Sequence, residues 1–325
     1  MNMRKIKWGV LGTAGIARKC TIPGMQLAEN CELYAIAGRN PEKVETFVNS
    51  FGFEKGYTSY DDLLDVPEVE AVYIPLPNNL HREWTIKALN KKKHVLCEKP
   101  IAPTAAEAEE MISAANANGV VLMEAFAYLH SPFIQEIKNV IDAGTIGEIT
   151  YFESAFLTPG YTLDNIRVRR ETFGGSVYDL GCYCTSLSRW LLGEEPTDVK
   201  AVAEFTEQKI DIHTNVIMNY PSGARASISC GMCLGKGNRI DRWTICGTKG
   251  KIVSTEQFNG DGELKFEIYT ADGCEVRTVS TPQNYSLEVA QLGRCITDGE
   301  TPHVSHEFTI SNAKILDKIL MTIGY

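Results

Sequence analysis

No stretch of this chain stays apolar for the roughly 20 residues a membrane-spanning helix needs, so a spanning protein is not expected. Positive charge is also scarce: 32 Lys and Arg stand against 41 Asp and Glu, a net charge of −9. A surface of that sign does not draw in nucleic acid or an anionic membrane. Zinc spacing is missing. Cys230-Gly-Met-Cys233 is a CxxC, but no second pair of cysteines or histidines stands at the distance a structural zinc site requires, so no metal is expected. Cys31, Cys97, Cys246 and Cys295 lie inside apolar segments, where a reduced thiol behaves as a small hydrophobe. Met1-Asn2-Met3-Arg4-Lys5 leads towards a strand without the apolar core of a signal peptide, which makes a cytoplasmic location the expectation. The sequence shows no internal repeat, linker or low-complexity segment.

What is present suits a soluble globular protein, with 44% hydrophobic and 22% charged residues. Its 325 residues exceed what one core normally serves, so two domains are expected. Apolar runs at 6–11, 31–37, 57–64, 71–74, 94–97 and 120–124 alternate with helical patterns, which predicts a doubly wound parallel sheet of Rossmann type over residues 1–124. Beyond that point strands dominate: 148–156, 199–205, 211–219, 224–230, 242–246, 263–270 and 274–280, with one helix over 175–192 and two more near 285–297 and 305–323. Residues 125–325 therefore read as an α+β domain with a large, mostly antiparallel open sheet.

Four ends of predicted strands carry chemistry. Gly12-Thr13-Ala14-Gly15-Ile16-Ala17 follows the first strand and opens a helix, a relaxed form of the G-x-G-x-x-G/A fingerprint that lets a backbone approach a pyrophosphate at a helix N-terminus. The second strand ends Gly38-Arg39-Asn40. An acid here would bind the ribose 2′-hydroxyl of NAD; none is present, and Arg39 suits the 2′-phosphate of NADP, although NAD stays possible. The strand His94-Val95-Leu96-Cys97 runs into Glu98-Lys99-Pro100, where Pro100 restricts the backbone and puts Lys99 where open α/β sheets hold their ligands. Pro75-Leu76-Pro77-Asn78 and His81, after another strand, could face the nicotinamide side of the same crevice. Further on, Asp179 and Tyr183 are four apart on one helical face, and a tyrosine beside a cation can move a proton near neutral pH.

Taken together, these segments resemble the glucose–fructose oxidoreductase/inositol dehydrogenase/MocA (Gfo/Idh/MocA) family of NAD(P)-dependent oxidoreductases over essentially the whole length. The resemblance rests on Gly12-Thr-Ala-Gly-Ile-Ala17, Val72-Tyr-Ile-Pro-Leu-Pro-Asn78 with His81, Cys97-Glu-Lys-Pro100, and Gly174-Gly-Ser-Val-Tyr-Asp-Leu-Gly-Cys-Tyr183. It implies that Lys99 lies by the nicotinamide and the reacting carbinol, and that the peptide before Pro100 is cis. Tyr183, where inositol-type members have His, is similar to the dimeric dihydrodiol dehydrogenase and NADP-dependent xylose dehydrogenase group. Lys99 and Tyr183 would then be the acid/base pair, with Asp179 orienting substrate. Relatives often carry Arg where this chain has Leu129 in Met123-Glu-Ala-Phe-Ala-Tyr-Leu129, followed by His130.

The expected activity is hydride transfer between NADP(H) and a CH–OH or C=O group of a sugar, polyol or cyclic diol. The expected cofactor contacts are Gly12, Thr13, Ala14, Gly15, Ile16, Arg39, Leu76, Pro77, Asn78, His81, Glu98 and Lys99; Tyr161, Asn165, Arg167 and His130 are candidate substrate contacts. Two alternatives stand beside this: an NAD-dependent glycosidase working through transient oxidation, and a non-catalytic dinucleotide sensor. A homodimer through the open sheet face is expected, because a second copy would cover apolar surface.

Overall fold

A computed structural model describes residues 4–325, so the Met1–Met3 part of the N-terminal reading lies outside the described residues. The chain divides into two units. The first begins with β1 (Ile6–Leu11), α1 (Ile22–Leu27), β2 (Cys31–Ala37), α2 (Pro41–Phe51), β3 (Lys55–Tyr57), α3 (Tyr60–Leu64), β4 (Ala71–Ile74), α4 (Asn78–Asn90), β5 (His94–Glu98), α5 (Ala105–Asn118) and β6 (Leu122–Ala125). The strands pair in parallel in the order β3-β2-β1-β4-β5-β6. Helices on both faces leave the central strands no solvent side, which is why β4 reads Ala-Val-Tyr-Ile without alternation and is buried throughout. Local chemistry fixes the helix ends: Asn40 accepts the Lys43 N–H at 2.9 Å ahead of Pro41, and Gly52 at φ 75° closes α2 in the left-handed conformation. The strand order reverses between β1 and β4, and ligands of open α/β sheets bind at the carboxyl edge beside such a reversal.

The second unit holds α6 (Pro132–Asp142), β7 (Ile149–Pro159), α7 (Cys182–Leu192), β8 (Asp198–Phe205), β9 (Asp211–Asn219), β10 (Arg225–Leu234), β11 (Ile240–Gly247), β12 (Gly250–Ser254), β13 (Gly262–Thr270) and β14 (Gly273–Thr281). Its eight strands run β14-β13-β12-β11-β7-β10-β9-β8, antiparallel except for β7 with β10. Strand β12 was not expected; it contributes five residues, too few for the alternation that marks a strand to stand out. One face of the sheet turns Trp243 and Phe266 onto Phe133 of α6, with ring centroids 5.9 and 5.6 Å away. The other face leaves Val202 and Ile217 exposed. The helix expected over 175–192 begins later: Gly174 and Gly175 stay outside, residues 177–181 form a π-helical turn, and α7 follows.

After β14 the chain returns. Pro282–Thr309, with α8 (Asn284–Thr297), belongs to the first unit; α9 (His306–Ile323) starts there and from Ile310 belongs to the second. Gln283 donates to the Cys20 carbonyl at 3.0 Å and Asn30 to that of Ala290 at 2.8 Å. These contacts join positions more than 250 apart, a separation that leaves no local pattern in a sequence.

Candidate active-site residues

In the first unit the carboxyl ends of β2, β1, β4 and β5 stand in that order, so Arg39, the Gly12 turn, the Pro75–Asn78 loop and the Lys99 corner line up along one edge. Gly12 has φ +128°, and a Cβ there would meet Leu76 Cδ2 at 3.2 Å, so the turn requires glycine. An added Cβ at Gly15 would meet nothing within 4 Å, which leaves open space over the start of the helix. A pyrophosphate fits this arrangement: a tight turn, small residues through Ala14, and free approach at Gly15. Arg39 is exposed beside Tyr60; burial pushes that phenol up, and the Arg39 guanidinium pulls against it. No acid stands between β2 and α2 to repel a 2′-phosphate, so the residues present fit NADP.

Lys99 sits on a corner braced from below. Its peptide to Pro100 is cis. Glu98, which the Lys99 backbone N–H approaches at 3.3 Å, accepts a 2.5 Å hydrogen bond from the buried Tyr73 hydroxyl, which in turn accepts from Thr21 at 2.9 Å. Burial, with Glu98 next to it, holds the Tyr73 phenol well above its ordinary range, so it stays a donor. Glu124, at the end of β6, accepts the Ile101 N–H at 2.9 Å; burial pushes its carboxyl up to about 7, although the Ile101 amide and the Lys99 charge pull it down. Glu288 on α8 is fully buried, and burial followed by the Glu98 charge raises its carboxyl well above the ordinary carboxylate range.

His81 does not open onto the sheet edge. Its ring is fully buried, with Nδ1 2.9 Å from the Pro100 carbonyl and Nε2 2.8 Å from that of Leu76. Burial lowers its pKa, so the ring is neutral and donates to one of the two carbonyls. It ties the β4 loop to the Lys99 corner. His130 also lies in the first unit. Its ring is 5.0 Å from that of His303, whose Nε2 meets the Leu129 carbonyl at 2.9 Å, and burial with the His303 charge drives His130 down to about 3.

The second unit gathers the other candidates. Asn165 accepts the Arg167 N–H at 3.0 Å and starts a short 3₁₀ turn. Arg167 Nε then donates to Asp179 Oδ2 at 2.8 Å, and its guanidinium lies 5.2 Å from the Tyr161 ring centre. Asp179, followed by burial and Tyr161, shifts Arg167: the carboxylate raises it above its ordinary value. The backbone makes this possible only with glycine. A Cβ at Gly174 would lie 2.4 Å from the Arg167 carbonyl oxygen, and one at Gly175 would lie 2.0 Å from Asp211 Oδ1. Asp211 Oδ2 accepts the Val177 N–H at 2.8 Å and the Ser176 hydroxyl at 2.7 Å, capping the turn that carries Asp179. Tyr183 is held edge-on against Phe156 at 5.6 Å and tilted against Phe258 at 5.3 Å. Tyr161, Asn165, Arg167, Asp179 and Tyr183 thus belong to one unit, while Lys99, Arg39, His81 and His130 belong to the other. Tyr73, Asp211 and Phe258 escaped the sequence reading, since each acts through a partner at least 25 positions away.

The family described as GFO/IDH/MocA oxidoreductases with an NAD-binding Rossmann fold matches residues 6–126, and its GFO/IDH/MocA C-terminal domain matches residues 134–253. A D-xylose 1-dehydrogenase (NADP(+)) of Haloferax volcanii is 33% identical over 96% of this chain and 95% of its own length. A trans-1,2-dihydrobenzene-1,2-diol dehydrogenase of Xenopus laevis is 30% identical over 98% of each chain. Among solved structures, a 3-ketoreductase from Actinomadura kijaniata crystallised with NADP and TDP-benzene superposes with a TM-score of 0.92, at 28% identity over 98% of both chains.

Proposed function

The chain belongs to the GFO/IDH/MocA oxidoreductase family, and from that premise we propose that it transfers a hydride between NADP(H) and the CH–OH or C=O carbon of a sugar, polyol or cyclic diol. The observation that carries this reading is the Lys99 corner, braced by Glu98 and Glu124, on the same sheet edge as the Gly12 turn. Hydride chemistry is what the nicotinamide supplies when bound. The chain's part is to bind and to handle the proton. The Gly12–Ile16 turn offers backbone N–H groups to the phosphates, with Leu76, Pro77 and Asn78 beside it. Arg39 meets the 2′-phosphate. Lys99 holds a positive charge on the reacting oxygen, and Tyr183 gives that oxygen its proton in reduction and takes it back in oxidation. Asp179, fixed by Arg167, accepts from a neighbouring substrate hydroxyl, and Tyr161 and Asn165 complete that side.

Residues 1–124 would serve the cofactor and the strand-rich part the substrate. A second copy would cover the open sheet face around Val202 and Ile217, and the protein would act in the cytoplasm on the NADP(H) pool. The test mixes the purified protein with NADP or NAD and with D-xylose, a trans-dihydrodiol or inositol, following the reduced-nicotinamide absorbance. Reduction of NADP in preference to NAD is the expected result. Cleavage of a glycoside with no net cofactor reduction would replace this reading with the glycosidase one, and sedimentation as a monomer would remove the dimer.

A further inference from the structure

Tyr183 is gripped by a loop that the proposed chemistry has not used. Residues 255–261 join β12 to β13. Phe258, only 3% exposed, lies 5.3 Å from both the Tyr183 and the Phe156 ring centres and stacks towards Trp243 at 6.5 Å. The loop is pinned on either side of that ring. Trp243 Nε1 donates to the Glu256 carbonyl at 3.4 Å, Glu256 Oε1 accepts the Lys265 N–H at 3.0 Å, and the Gly260 N–H closes onto the Gln257 carbonyl at 3.0 Å. The residue between the ring and that closure has little freedom left. It is Asn259, and its Nδ2 points at Tyr183 Oη from 3.4 Å.

The other end of this amide is unusual. Asn259 Oδ1 is buried and has no hydrogen-bond partner among the described residues. A buried unpaired carbonyl lowers stability, and an apolar side chain of the same shape would avoid that. Packing alone therefore gives no reason for an amide here; its N–H on the phenol oxygen does.

We propose that Asn259 is a positioning residue for Tyr183. Its N–H occupies one side of the phenol oxygen, which turns the phenol's own O–H away from the loop. When that proton leaves for the substrate oxygen, the same N–H holds the negative oxygen through a charge-assisted hydrogen bond. The inference rests on the reading that Tyr183 moves the proton. Arg167, with its partner Asp179, bears on the phenol from a neighbouring element, and the Arg239–Asp241 pair lies nearby, with Arg239 over the Phe156 ring. All of these stay in place when Asn259 alone is changed.

The test reads the phenol directly and needs no substrate. The ultraviolet pH titration of the wild type minus that of Tyr183→Phe isolates this one phenolate. The same subtraction between Asn259→Leu and Asn259→Leu/Tyr183→Phe gives it without the donor. The titration midpoint is expected to rise by about one pH unit in Asn259→Leu, the effect of one hydrogen bond to a charged oxygen. It should rise further in Asn259→Asp, whose carboxylate cannot donate, and fall back towards the wild type in Asn259→Gln. A midpoint unmoved in both Asn259→Asp and Asn259→Leu overturns the inference, and Asn259→Asp answers alone if the leucine variant does not fold. Turnover separates the two claims: a fully active Tyr183→Phe would sink the assignment of Tyr183, whereas an inactive Tyr183→Phe with an unmoved midpoint would sink only the role of Asn259.

Discussion

Lys99 and Tyr183 are held by opposite means. The lysine stands on a corner whose supports are polar and buried: a Thr21–Tyr73–Glu98 chain on one side and Glu124 on the Ile101 amide on the other. The tyrosine stands in a box of rings, Phe156 and Phe258, with Trp243 behind. The difference follows from charge. The corner that carries the lysine is fixed through buried carboxyl groups, and buried carboxyl groups need donors of their own. A neutral phenol needs only its ring fixed and its hydroxyl directed, and aromatic packing does the first without any polar group.

If that contrast is right, the largest effect comes from removing the charge itself. Lys99→Met is expected to lower kcat by roughly 10²–10⁴-fold while NADPH still binds, as measured by fluorescence of the bound reduced cofactor; unchanged turnover would break the comparison at its first member. The supports should then fail in different ways. Phe258→Ala empties a buried ring site and is expected to cost about 3–5 kcal/mol of stability in urea unfolding. Tyr73→Phe keeps the ring and removes one buried hydroxyl, at about 1–3 kcal/mol. Equal losses would mean that the polar and aromatic supports are not distinct.

The subtlest prediction concerns Glu124. Its carboxyl lies at about 7 in the folded protein against an ordinary value of 4.5. Below the ordinary value both folded and unfolded chains carry the proton. Between the two values only the folded chain holds it, so stability falls as pH rises and levels off above about 7. The loss across that window is on the order of 3 kcal/mol. Glu124→Gln keeps an oxygen for the Ile101 amide but cannot ionise, so its advantage over the wild type should grow between pH 5 and pH 8 in denaturant titrations. An unchanged pH slope would show that Glu124 is not the group responsible.

Much of this was legible in the sequence, for reasons the structure makes plain. Cys31–Ala37, Ala71–Ile74 and Asp211–Asn219 fall where their apolar patterns end, because strands in these sheets are bounded by turn residues and caps such as Asn40-Pro41. Asp179 falls in the π-helical turn and Tyr183 in the first turn of α7, so the helical pattern around them was readable although its start was not. What escaped was whatever depends on distant partners. His81 reads as a first-turn residue beside a crevice, yet its ring is buried between two backbone carbonyls. The Arg167–Asp179 pair spans twelve positions through irregular backbone, and no periodicity encodes it. Asn259 sits in a loop with no motif at all.

The return of Pro282–Thr309 sets an order on how this protein comes into being. A ribosome releases the whole eight-stranded sheet before it delivers the helix that completes the nucleotide-binding unit. Until then the Cys20 carbonyl lacks the Gln283 amide and the Asn30 amide lacks the Ala290 carbonyl. A fragment ending near residue 130 would leave that side bare, so a graft of this binding unit onto another protein must carry the late helix with it.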